Sequence, residues 1–114
     1  MILAQVIGTV WGAKQSEGLS GRRVVEVRPV HLRGAAPGTS LTADCGPQRL
    51  EHRTLLAVDP LGADAGQLVL VSIGSRVRDL TLGAHVPTKN CVIAIVDEAS
   101  IDPVGRAAGG QVTP

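Results

Sequence analysis

The sequence contains no phenylalanine and no tyrosine, and Trp11 is its only aromatic residue. A core must therefore be assembled from Val, Leu, Ile and Ala, and the β-branched members of that set pack best on a pleated surface. The same shortage argues against single-stranded nucleic-acid binding, which relies on stacking aromatics in a basic groove. Charge does not supply the groove either, since the formal net charge is only +1. Cysteine is scarce: Cys45 and Cys91 are widely spaced and read as two thiols rather than a disulfide framework. No C-x-x-C or H-x-x-x-H spacing links them to His31, His52 or His85, so no metal site is expected. No apolar run approaches the roughly 20 residues of a spanning helix, and the N-terminus lacks the charged start of a signal peptide. These absences describe a cytoplasmic domain with no membrane, metal or cofactor requirement.

Catalytic signals are missing as well. No G-x-S-x-G elbow frames a nucleophile, and no paired carboxylates stand at a working spacing. Gly62-Ala63-Asp64-Ala65-Gly66 looks like a phosphate loop, but it lacks the Lys-Ser/Thr end and is followed by a strand pattern, so it reads as a turn. The chain is not expected to be an enzyme.

What remains is a series of short strands. Ile2 to Trp11 reads as the first, with Ile2, Ala4, Val6 and Val10 on one face and Leu3, Gln5, Ile7, Thr9 and Trp11 on the other. Arg22 to Pro29 alternates more cleanly and places Val25, Val27 and Pro29 on the buried face. Residues Arg33 to Arg53 read as a long polar hairpin loop. Thr54 to Asp59, Gln67 to Ile73 and Cys91 to Asp97 supply three more strands. A short helical turn is expected between Gly74 and Gly83, with Ser75 as its N-cap. The Gly- and Ala-rich tail from Ala99 offers at most a short strand near Gln111 and Val112.

These elements predict an all-β fold, a small five-stranded antiparallel OB-like barrel with one short helix, because no helix is long enough for a parallel crossover. The domain is expected over residues 1–98, with 99–114 as a C-terminal tail. Strands one, four and five are apolar on both faces, whereas an antiparallel sheet usually wets one of them. Either a partner subunit covers the second face, or the loop, helix and tail do so within one chain. Trp11 is then either an interface anchor or an ordinary core residue.

Several segments resemble the vertex proteins of bacterial microcompartments, the EutN/CcmL family of pentameric shell proteins. Ile2 to Val10 is similar to the family's first strand. Ala57-Val58-Asp59 followed by Gly62 to Leu70 is similar to its A-x-D-x-x-G-A-G-x-G-E-x-V-L signature. Gly74-Ser75 begins its G-S-S-A-R turn, with Arg78 aligned to the family arginine, and Cys91 to Asp97 matches its last barrel strand. Asp64 stands where the family prefers Gly, Gln67 where it prefers Glu, and Arg76 and Lys89 are added charges. The resemblance implies a non-catalytic homopentamer that caps the vertices of an icosahedral shell and meets hexameric or trimeric facet proteins. In such a ring Gly74, Ser75, Arg76 and Arg78 either face a pore or an inter-subunit contact, or the two arginines are simply solvated on the surface of a short helix. An OB-type nucleic-acid-binding protein is the competing reading, and Arg22, Arg23, Arg28 and Arg33 are its only support.

Overall fold

The computed structural model describes residues 1–10, 19, 21–32, 35–36, 38–44, 46–74 and 89–100. Seven strands run along the described chain: β1 (Ile2–Val10), β2 (Val24–Pro29), β3 (Ser40–Leu41), β4 (Leu55–Val58), β5 (Leu68–Ile73), β6 (Asn90–Val96) and β7 (Ala99–Ser100). Five of them close a barrel in the order β1-β2-β4-β6-β5, and β3 and β7 form a separate two-stranded sheet.

Barrel closure corrects the antiparallel expectation. A closed ring with an odd number of strands cannot alternate direction at every step, so at least one neighbouring pair must run parallel. That pair is β4–β6, joined at Val58 and Cys91. Asn90 secures the same seam by donating from Nδ2 to the Leu56 carbonyl at 2.9 Å.

The interior follows from side-chain alternation. Ala4 and Val6 of β1, Val25 and Val27 of β2, Ala57 of β4, Val69 and Val71 of β5 and Val92 of β6 form one buried cluster. None is aromatic, so the barrel is filled by small branched side chains on every strand. The face assignment of β2 agrees with the sequence pattern, but that of β1 changes halfway. Val6 pairs with Val27 and Gly8 with Glu26, leaving Ile7 as an extra residue. This β-bulge shifts the alternation by one. Thr9 therefore joins Val25 on the inner side, and Val10 joins Val24 on the outer side.

The long loop is more structured than its composition suggests. It contains β3 and a 3-10 turn at Pro47–Arg49, and β3 pairs antiparallel with β7, Ser40 with Ser100 and Leu41 with Ala99. Glu98 accepts a hydrogen bond from the Ser40 hydroxyl. Together these segments roof the outer face of β1 and β5: Val30, Leu41 and Leu68 are buried there, with Leu3, Leu50, Val96 and Ala99 packed against them. On this side the chain covers its own second apolar face. The strand thus lies at the start of the tail, whereas the segment around Gln111 falls outside the described residues, as does the helical turn expected after Gly74.

Candidate assembly surface

The signature segment between β4 and β5 is organised by one carboxylate. Asp59 follows β4 directly, and its side chain is fully enclosed. Oδ1 accepts from the Leu61 and Gly62 amides at 2.9 and 3.1 Å, and Oδ2 accepts from the Ala63 amide at 2.7 Å. Arg23 reaches Oδ2 at 2.9 Å and also donates to the Ala63 carbonyl and to Thr9 Oγ1. The turn that looks like a phosphate loop is indeed a ring of converging amides, but Asp59 itself fills it. Gly62 and Gly66 adopt φ values of +82° and +95°, a region that side-chain-bearing residues rarely occupy. Gln67, in the family's Glu position, accepts from the Asp64 amide through Oε1 at 2.8 Å. Gln5 crosses from β1 to bind the Gly66 and Ala43 carbonyls, which ties the turn to the long loop.

Across the barrel from the roofed face, the strand registers line up a row of outward-facing apolar residues. Val10 pairs with Val24, Val24 with Val58, and Val58 with Cys91, so four strands each contribute one. Val58 and Cys91 are covered, packed with Leu19, Val24 and Ile93, and the buried Cys91 thiol donates to the Val92 carbonyl at 3.5 Å. The margin is open: Leu56 is 50% exposed and Val10 37%. Leu19, Val24, Leu56, Ala57 and Val58 line an apolar groove of about 160 Å³ there. This is the second face that the chain's described residues leave partly uncovered.

Of the site residues expected from sequence, Gly74 is placed at the end of β5, where its amide donates to the Lys89 carbonyl at 3.1 Å. That bond closes the base of the β5–β6 connection. Ser75, Arg76, Arg78 and Trp11 lie outside the described residues. Two elements escaped the sequence reading: Asp59 as the turn's anchor and the β3–β7 roof. For Asp59 a signal was present, since Asp-Pro-x-Gly is an Asx-turn pattern. For two-residue strands nearly 60 positions apart there was none. Among the described residues no three His, Cys, Asp or Glu side chains gather as a metal site, and no helix is long and apolar enough to cross a membrane.

A closed OB-like barrel with an internally filled glycine turn and an apolar outer row has the form of a small β-barrel assembly unit rather than a catalytic pocket. Comparison with known proteins agrees. Residues 1–97 match the family described as ethanolamine utilisation protein EutN/carboxysome. The microcompartment shell vertex protein PduN of Salmonella typhimurium is 34% identical over 100 residues, covering 88% of this chain and 99% of that protein. The GrpN pentameric microcompartment shell protein of Rhodospirillum rubrum superposes with a TM-score of 0.63 at 31% identity, over 91% of this chain and 100% of that one. The Gloeobacter violaceus CcmL structure gives a TM-score of 0.71 at 24% identity, over 90% and 91% of the two chains, and so supports the fold. The chain belongs to the EutN/CcmL family of microcompartment shell vertex proteins.

Proposed function

We propose that five copies of this chain close into a ring that caps the vertices of an icosahedral microcompartment shell in the bacterial cytoplasm. Flat facets tiled by hexagonal units cannot close without five-fold units at the corners, and the chain's role is to be that unit. A closed ring needs a heterologous contact, so each subunit must present two different complementary surfaces. The observation that carries this reading is the outer row Val10–Val24–Val58 with Leu56 half exposed at its edge. Such a row on a barrel whose other apolar face is already roofed supplies one of the two surfaces.

The remaining parts of the reading concern loops. The turn beginning at Gly74, with Ser75, Arg76 and Arg78, lines the ring's central opening or its subunit contact. Trp11, directly after Val10, anchors the neighbouring copy beside the apolar row, in keeping with the enrichment of Trp at interface centres. The outer rim meets hexameric or trimeric facet proteins. Residues 1–98 form the shell unit, and the tail from Ala99 begins as the latch over Leu41. No residue has a catalytic role.

Native mass spectrometry of the purified protein tests the ring. A dominant pentamer at micromolar concentration is the expected result, and a dominant monomer at the same concentrations excludes it.

A further inference from the structure

Away from the apolar row, the end of the long loop borders an open pocket of about 390 Å³, lined by His31, Pro47, Gln48, Leu50 and the run from Glu51 to Arg53. Its frame is fixed by backbone pairing. The His31 amide donates to the Arg49 carbonyl at 2.9 Å and the Glu51 amide to the Pro29 carbonyl at 2.8 Å, on either side of a Val30–Leu50 bridge. The chain enters the 3-10 turn through Gly46 at φ +87°, where a Cβ would lie 2.7 Å from Gln48 Oε1. A residue larger than glycine would therefore displace the Gln48 side chain from the pocket wall.

The polar groups in this wall are unevenly matched. Glu51 is its one carboxylate, and Arg53 Nε already holds it at 2.8 Å. The Nη groups of Arg53, the Gln48 amide and the His52 ring make no hydrogen bond among the described residues, and His31 Nδ1 is sealed from solvent without a partner. Arg53, Gln48 and His52 thus bring donor groups to the lining of a concavity whose one carboxylate is already paired, with Pro47 and Leu50 as apolar wall. An arginine fork beside amide and imidazole groups suits a planar or tetrahedral oxyanion. A metal ion would need three ligands, and the described His, Cys, Asp and Glu side chains do not provide them together. The volume falls in the range typical of small-molecule sites.

We propose that this pocket binds the oxyanion group, phosphate or carboxylate, of a metabolite-sized molecule, independently of ring assembly. The test is isothermal titration of the full-length protein with inorganic phosphate at about 0.15 M salt, where exposed charges are largely screened, followed by NMR mapping of perturbed amides. Saturable binding with shifts concentrated in residues 46–53 is expected, and displacement by acetate would extend the site to carboxylates. His52 and Arg53 are exposed, so a combined His52→Ala and Arg53→Ser variant should fold and lose about tenfold in affinity. Lys89→Ser, an exposed cation elsewhere, should bind as the parent does. Absence of saturable binding, an unchanged affinity in the double variant, or an equal loss in Lys89→Ser overturns the proposal.

Discussion

The Arg23 guanidinium and the Asp59 carboxylate meet at 2.9 Å, with the Asp59 side chain wholly enclosed and that of Arg23 29% exposed. The pair joins β1, β2 and the glycine turn, because Arg23 also binds Thr9 and Ala63 while Asp59 gathers three amides. Removing one member strands the other. Asp59→Ala leaves three backbone donors without their acceptor and the half-buried Arg23 without its counter-charge, and should cost about 3–5 kcal/mol in urea unfolding. Asp59→Asn keeps one carbonyl acceptor and should cost less. Equal stability of Asp59→Ala and the parent would show that the turn is held by other means.

Gln67 explains how this chain departs from its family's Glu without losing the turn. Its Oε1 accepts from the Asp64 amide at 2.8 Å, and its backbone N–H donates to the Asp64 carbonyl at 3.1 Å. Only an acceptor oxygen at this reach is needed, so Gln67→Glu should fall within about 0.5 kcal/mol of the parent in the same unfolding assay. Gln67→Ala removes the acceptor and should cost about 1 kcal/mol.

The reach of the sequence was set by the range of each signal. β2 was legible because Val25, Val27 and Pro29 alternate with Val24, Glu26 and Arg28, and burial follows that alternation residue by residue. β1 was legible only up to Val6: the bulge at Ile7 reverses the faces of Thr9 and Val10, and the local pattern of Gly8-Thr9-Val10 carries no mark of it. The parallel β4–β6 pair is a property of closing five strands into a ring, not of either strand's composition. β3 and β7 are two residues long and find each other across the chain, so no periodicity announces them. The outer apolar row was visible as strands greasy on both faces, but which part the chain roofs itself depends on that long-range pairing.

Leu41 tests the roof directly. It is 4% exposed, sits in the cluster with Val30 and Leu68, and is carried by a strand whose pairing among the described residues is with β7. Leu41→Ala should cost about 2–4 kcal/mol, the usual range for a buried leucine truncated in a cluster that cannot fully collapse. Removing residues 97–114 takes away β7 and Glu98 together and should destabilise the barrel while raising amide exchange at Ser40 and Leu41. An unchanged exchange rate there would mean that β3 does not depend on β7.

Leu56 separates ring formation from folding. It projects from the outer face of β4 at 50% exposure, opposite Glu26, while the interior positions Leu55 and Ala57 on either side of it face the core. A charge at this position costs the isolated subunit little, since the side chain is already half in water; in a subunit contact it would be an unpaired charge at an apolar centre. Leu56→Asp should therefore retain the parent's circular dichroism and come within about 1 kcal/mol of its monomer stability, yet shift native mass spectra from pentamer to monomer. A photo-crosslinking residue at the same position in the otherwise unaltered protein should yield covalent dimers. A pentameric Leu56→Asp together with crosslinks confined to single chains would move the ring contact away from this row, whereas a monomeric parent protein would remove the ring itself.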